Sequence, residues 1–306
     1  MQPTCSVIIL TYKPDERFAR IIRWLNMQTH RPEEILVINT QKRYFDPAVV
    51  SGYANVRVVH IDKQEFDHAG TRSMAAGMCQ NDILVYMTMD AVPADRYLIA
   101  NLLSAFEAPQ TAAAYARQLP RRDADVLERY NRHFNYPPVS RRKTKADLPE
   151  LGIKTYFCSD VCAAYRREVW EQMGGFGGHE IFNEDMIMAA RMIKAGWAVQ
   201  YCAQARVIHS HNYGALMQLR RNFDLGASQA MHPEIFEGIS SAKEGKRMVA
   251  SQIRHLWETG QGLQILRLIW ISGFRYIGYR LGKSYRSLPA PFVRMLSWNR
   301  EYWKKE

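Results

Sequence analysis

Cysteine is scarce in this chain, with five residues among 306. The number is odd and no CxxC pair recurs, so a disulfide framework is excluded and the cysteines read as buried thiols rather than zinc ligands. Long apolar runs are missing: no stretch of ~18 residues is free of charge, so no transmembrane helix is expected. The opening MQPTCSVIIL has no basic segment before its short apolar run. A signal peptide is therefore not expected, and the reading is a chain that stays in the reducing cytoplasm. No GxGxxG follows the first apolar run and no GxxxxGK[ST] occurs, which argues against dinucleotide redox chemistry and P-loop hydrolysis. If phosphate is bound, a metal or arginines must bind it.

Acidic residues are absent between Glu258 and Glu301. From Lys243 to Glu306 there are 13 basic and 4 acidic residues, while the preceding 242 residues carry a net charge of only +2 out of the total of +11. A near-neutral body with a basic tail argues against a protein that coats nucleic acid, and favours a globular machine with a positive attachment surface. At 47% hydrophobic and 23% charged residues, the composition is that of a folded protein. The length suggests about two domains, or one large domain with an appendage.

The first hundred residues alternate between two periodicities. Ser6–Leu10, Glu34–Ile38, Val56–Ile61 and Ile83–Met87 are short apolar runs rich in β-branched residues, as in strands buried on both faces. Between them, Phe18, Ile21, Ile22 and Leu25 mark one helical face, and Ile99, Leu102, Leu103 and Phe106 another. Thr71 is expected to cap a helix over residues 72–79. The β-α-β-β-α-β-α order predicts an α/β fold with a mostly parallel sheet, whose ligands sit beyond the carboxyl ends of the strands. That directs attention to Thr11, Tyr12, Asn39, Thr40 and residues 88–90. Residues 117–149 are polar and basic, with arginines at 117, 121, 122, 129 and 132. They read as a long excursion, either a solvated loop or a lid. A Gly-rich corner at 174–178, a helix over 184–195, short strands at 199–202 and 207–211, and a helical region from Met248 complete the pattern.

Four groups are able to carry chemistry. Asp90 stands at the end of the fourth strand, either facing the crevice or serving a turn. Glu184 and Asp185 open a helix, where acids also serve merely to satisfy the helix dipole. His209 and His211 are alternate residues on an expected strand, so they share a face as metal ligands or as ordinary histidines. Trp170 and Phe176 flank the corner before Asp185, as core or as a surface on which a sugar stacks.

The order of strand-end Asp, then Asn-Glu-Asp, then His-Ser-His, behind CSVIILTYKPDERFARIIRWLNMQTHRPEEILVIN, resembles a family-2 glycosyltransferase of the GT-A fold over roughly residues 4–225. FDHAGTRSMAAG, TMDAVPAD, ARQLP and FCSDVCAAYRREVWEQMGGF look like the bacterial rhamnosyltransferase branch, which builds O-antigen or rhamnose-rich wall polysaccharides from dTDP-rhamnose. The resemblance implies a metal-dependent inverting enzyme. Thr11, Tyr12 and Asn39 would hold the nucleoside and Arg72 the diphosphate. Asp90 would hold Mn²⁺ or Mg²⁺ with His209 or His211. Asp185 would be the catalytic base, with Glu184 and Trp170 toward the acceptor. The pattern departs from the family at Thr88, where the first Asp of a DxD motif is usual, at Asn39 in place of an Asp, and at Asp160 in place of a neutral residue.

This organises the chain as a catalytic domain over 1–225 and a basic helical region over 226–306. In the latter, Leu263, Leu266, Trp270, Phe274, Ile277 and Leu281 recur at helical spacing among Arg267, Arg275, Arg280 and Lys283. Such a surface lies on an anionic bilayer, packs on the catalytic domain, or forms a homo-oligomer. The expected partners are dTDP-rhamnose or a UDP-sugar, a lipid-linked saccharide acceptor, and the inner face of the cell membrane as a peripheral site. A UDP-hexose donor is the alternative within the class. A non-catalytic nucleic-acid or membrane binder is the alternative outside it, and no nucleic-acid motif is present.

Overall fold

The computed structural model describes residues 3–239 and 241–304. From the N terminus the chain runs β1 (Cys5–Tyr12), α1 (Glu16–Asn26), β2 (Glu34–Thr40), β3 (Val56–Ile61), α2 (His68–Gly77), β4 (Ile83–Thr88), β5 (Val92–Pro93), α3 (Leu98–Leu103), β6 (Thr111–Leu119), α4 (Val126–Asn135), β7 (Arg141–Lys143) and α5 (Leu148–Leu151). It continues with β8 (Cys162–Arg166), α6 (Arg167–Gln172), α7 (Glu184–Lys194), β9 (Ala198–Ile208), α8 (Ala215–Met231), α9 (Pro233–Phe236), α10 (Ser241–Glu258), α11 (Leu263–Lys283) and α12 (Ala290–Leu296). Two compact units form: residues 1–121, 136–178 and 184–210 make the first, and 122–135, 179–183 and 211–306 the second.

The first unit is an α/β sheet of nine strands in the order β3-β2-β1-β4-β8-β6-β9-β5, with β7 beside β9. The four strands read from the first hundred residues are mutually parallel. They are followed across the sheet by β8, which runs antiparallel to both β4 and β6. The apolar run of β1 is buried on both faces, and Phe18, Ile21, Ile22 and Leu25 of α1 pack into the core beneath it. Asp15 caps that helix by accepting from the Arg17 N–H.

Three local expectations change. Thr71 is not the cap of α2: Asp67 caps it, accepting from Gly70 N–H at 2.7 Å, while Thr71 accepts from Asp67 N–H one turn in. The excursion from residue 117 is not one loop, because β6 carries Arg117 and Gln118 in its ladder and α4 carries Arg129 and Arg132. The alanine-rich run of β6 lacks the β-branched residues that announce a strand. The two short strands near the second half are one, β9. Its pairing with β6 jumps from Ala116↔Cys202 to Arg117↔Arg206, so residues 203–205 bulge out and break the apolar alternation.

The second unit is helical. Phe223, Ala227, Val293, Leu296, Tyr302 and Trp303 share one core, and Leu127, Leu256, Leu268 and Ile271 another. The carboxylate of Asp224 on α8 holds the C-terminal segment, accepting from Ser297 Oγ at 2.6 Å and from the N–H groups of Trp298 and Asn299. No described helix is long and apolar enough to cross a membrane.

Candidate active site

Parallel register gathers one row of side chains at the carboxyl ends of the first strands. Thr11 lies opposite Asn39, and Asn39 opposite His60. The row is hydrogen-bonded throughout: Thr11 Oγ1 donates to Asn39 Oδ1 at 3.0 Å, and Asn39 Nδ2 meets His60 Nδ1 at 3.1 Å. Beyond it the chain turns sharply, with Lys13 and Gln41 at φ of 50° and 65°. Non-glycine residues take this left-handed region chiefly where surrounding structure imposes it, and such strain gathers at functional sites. Tyr12, 38% exposed, meets Tyr44 edge to face at 5.8 Å, and Lys13 lies over both rings. The structure brings Lys13 and Tyr44, which the sequence did not single out, to the corner that holds Thr11, Tyr12 and Asn39, through the turns after β1 and β2.

Asp90, just after β4, faces His209, with 3.6 Å between the carboxylate Oδ2 and Nε2. The sequence placed His209 within a strand. Instead β9 ends at Ile208, and the His209 N–H still pairs with the Leu119 carbonyl at 2.9 Å. On its other side His209 Nδ1 lies 3.0 Å from Gln118 Oε1, while Gln118 Nε2 donates to Tyr136 Oη and Ser159 Oγ. An amide donating through its nitrogen presents oxygen to the imidazole. This contact places a ring proton on Nδ1, and Nε2 is the atom that faces Asp90. A separation longer than a hydrogen bond, between a carboxylate oxygen and an imidazole nitrogen, suits a shared divalent ion. Thr88, where a second acid is usual in the family pattern, keeps a buried hydroxyl with no hydrogen-bond partner among the described residues. His211 opens the second unit, where its N–H donates to Glu128 at 3.3 Å and its ring stacks on Tyr213. Gln118 had no signal in the sequence, since only the β6–β9 pairing brings it to His209.

The third cluster joins α2, β8 and the start of α7. Arg72 forms ion pairs with Glu184 and, at 3.7 Å, with Asp160. Its guanidinium, expected at a diphosphate, is thus held by two carboxylates. Asp185 Oδ2 accepts from the Asp160 N–H at 3.0 Å, and Oδ1 lies 2.7 Å from the Met186 nitrogen. Tyr165 Oη donates to Asp160 Oδ1 at 2.7 Å.

Two carboxylates therefore share one guanidinium, and the half-buried carboxyl of Asp185 lies beside them. Burial, then Asp160 and Glu184, push Asp185 up to about 8, against the Asp160 N–H and Arg72. Burial likewise pushes Asp160 up to about 6, although Arg72 opposes it. Arg72 draws Glu184 the other way and holds it ionised against its own burial. A helix-opening acid that merely satisfied the dipole would be pulled down. Asp185 instead holds a proton affinity suited to proton abstraction near neutral pH. Trp170 is buried, packing edge to face with Phe176 at 5.6 Å and against Gly175. It is a core side chain in this fold.

The family model described as glycosyl transferase family 2 matches residues 6–174. Two curated proteins are similar along almost their whole length. One is the O-antigen chain rhamnosyltransferase RfbN of Salmonella typhimurium, 39% identical over 97% of this chain and 95% of that protein. The other is the O-antigen chain rhamnosyltransferase WbaN of Salmonella anatum, 38% identical over 98% and 96%. Among solved structures, the mannosyltransferase PcManGT of Pyrobaculum calidifontis, in complex with GDP-Man and Mn²⁺, superposes with a TM-score of 0.58 at 16% identity, covering 99% of this chain and 86% of its own. S. aureus TarS 1–349 with UDP-GlcNAc superposes at 0.55 and 14% identity, covering 92% and 91%. These two likenesses show a common fold.

Proposed function

The chain belongs to glycosyl transferase family 2 and is a glycosyltransferase, and on that premise we propose that it transfers L-rhamnose from dTDP-rhamnose, with inversion, to a lipid-linked saccharide during O-antigen chain assembly. The names of the two relatives matched end to end support the sugar and the polymer. The observation that carries the chemistry is Asp185: a half-buried carboxyl beside two others that share the Arg72 guanidinium.

In this reading Thr11, Tyr12 and Asn39 bind the nucleoside, with the Tyr12–Tyr44 corner as the wall for the base. Asp90 and His209 hold a divalent cation, their facing atoms 3.6 Å apart. Carboxylate plus imidazole favours Mn²⁺ over Mg²⁺, which prefers oxygen ligands and keeps more water. When bound, such a cation supplies positive charge against the departing diphosphate.

Asp185 accepts the proton of the acceptor hydroxyl as that oxygen bonds to the anomeric carbon. The bond from that carbon to the phosphate oxygen breaks, and its electron pair leaves with dTDP. The attack comes from the face opposite the leaving group, so one displacement inverts the centre and no covalent enzyme intermediate forms. Arg72 and Glu184 fix the cluster, and Asp160 orients Asp185 through its N–H. The apolar, basic α11 would set the enzyme on the anionic inner face of the membrane, where a lipid-linked acceptor resides.

Thermal-shift measurement with dTDP-rhamnose, UDP-glucose, UDP-galactose and a GDP-sugar, each with and without Mn²⁺, tests the donor. We expect dTDP-rhamnose with Mn²⁺ to raise the melting temperature most. Stabilisation by UDP-hexoses alone would move the assignment to that donor class.

A further inference from the structure

We propose that Cys5, His30 and Glu33 form a second divalent-metal site, of zinc type, at the end of the sheet opposite the catalytic crevice. Cys5 opens β1, Glu33 immediately precedes β2, and His30 lies in the connection from α1 to β2. Parallel pairing sets the starts of β1 and β2 side by side, with Ser6 opposite Glu34. The thiol, imidazole and carboxylate thereby converge, and their ligand-capable atoms all lie within 4.8 Å of one another. Tetrahedral zinc, with bonds of 2.0–2.3 Å, needs its ligand atoms about 3.3–3.8 Å apart, so small side-chain adjustments close the site.

Three features distinguish this cluster from a chance meeting of side chains. The donor set is mixed: sulfur, nitrogen and oxygen together suit zinc and its cobalt substitute, not Mg²⁺ or Ca²⁺. Its frame is rigid on both sides of His30. Gln28 donates to the carbonyls of Trp24 and Asp95 and accepts from Ile99 N–H, and Thr29 N–H donates to Arg96. Arg31 donates to Asn26 and Asn55, and Asn55 to the Pro32 carbonyl. Glu33 is aimed at Cys5 by the Cys5 N–H, which donates to Oε2 at 2.7 Å.

The site is also reachable. Cys5 is buried, His30 half-buried and Glu33 exposed, and His30 lines a cavity of about 800 Å³ together with Pro3, Thr4 and Asp82. Three protein ligands with an open side toward water leave a fourth position for a water molecule. A metal here would tie the first strand to the connection that leads into the second, and so stabilise the sheet where its strands begin. The proposal does not depend on the transferase reading.

The test is titration of the full chain with Co²⁺. Thiolate-bound cobalt gives a sulfur-to-metal charge-transfer band in the near ultraviolet, and the Asp90–His209 pair contains no sulfur. We expect one equivalent of Co²⁺ to raise that band, Zn²⁺ to displace it, Asp90→Asn to keep it and Cys5→Ser to abolish it. His30→Gln and Glu33→Gln should each weaken binding at least 10-fold, the usual scale for an altered metal shell. If Cys5→Ser does not fold, the folded His30→Gln protein decides the matter by the same titration. Absence of the band in the unmodified chain, its persistence in Cys5→Ser, or unchanged affinity in His30→Gln would overturn the proposal.

Discussion

Asp185 and Asp160 make the clearest case at the scale of single residues. A general base contributes typically 10²–10⁴-fold, so Asp185→Asn should lower turnover by about that factor while donor binding, read by thermal shift, survives. Turnover within about 3-fold of the parent would remove Asp185 from the mechanism. The base works only after losing its proton, so turnover should rise with pH as Asp185, held up to about 8, ionises. Asp160→Asn removes the neighbouring charge and should move that acid limb to lower pH, which a pH–rate profile checks.

The same two groups set a stability trend whose sign is opposite to that of ordinary salt-bridged carboxylates. Their pKa values rise on folding, from 3.8 to about 6 for Asp160 and about 8 for Asp185. The folded chain then binds protons that the unfolded chain has released. This contribution is complete below pH about 3.8 and is lost as pH rises through about 6 and then about 8. Asp160→Asn removes one of these groups and the charge that raises the other, so it should flatten the decline of melting temperature between pH about 4 and 8, and an unchanged slope would contradict it.

At the scale of elements, the α8–α11 pair depends on three glycines. A Cβ at Gly278 would meet the Leu219 carbonyl, one at Gly282 the Phe223 carbonyl, and one at Gly226 the Tyr279 carbonyl. The helix backbones touch there, and Tyr279 Oη reaches across to Gln229 Oε1 at 2.9 Å. A Cβ at Gly273, on the same helix, would have nothing within 4 Å of it. Gly278→Ala and Gly282→Ala should each cost roughly 1–3 kcal/mol by overpacking. Gly273→Ala should gain ~0.5–1 kcal/mol from helix propensity alone. Chemical denaturation of the three variants compares them directly, and equal effects at 273 and 278 would refute close packing as the cause. Loss of the Asp224 acceptor in Asp224→Ala leaves two N–H groups and a hydroxyl unsatisfied, and should cost about 3 kcal/mol by the same measurement.

At the scale of the whole molecule, the basic surplus and the exposed apolar side chains belong to the same region. Leu263, Leu266 and Trp270 of α11 are 88%, 72% and 63% exposed, and Ile269, Tyr276 and Ile277 share their exposure. Arg267 is paired with Asp125, while Arg280 and Lys283 lie exposed on the same helix. We expect the full chain to sediment with vesicles containing anionic lipid in low salt and less so at high salt, since exposed charges are screened beyond a Debye length of about 10 Å at 0.1 M. Leu266→Glu with Trp270→Glu should reduce sedimentation at least 10-fold without lowering the melting temperature. Full binding in that variant would place the attachment elsewhere.

By itself the sequence determined the strands and helices whose side chains obey one period. β1 to β4, the buried face of α1 and the helix at 184 follow from local spacing of apolar residues, because burial on one or both faces acts on each element separately. Asp90, Asp185 and His209 drew attention in the sequence because strand ends and helix starts lie toward the carboxyl side of an α/β sheet, where ligands bind. Only the tertiary structure decided what pairing between distant segments creates. β6 hid in an alanine-rich, arginine-bearing stretch, and β9 looked like two strands because its bulge breaks the alternation. Gln118 meets His209 across 91 residues of sequence, Arg72 meets Glu184 across 112, and Cys5 meets Glu33 across 28. The proton affinity of a carboxyl and the ligand set of an ion are sums over neighbours in space, and those neighbours exist only once the chain has closed its sheet.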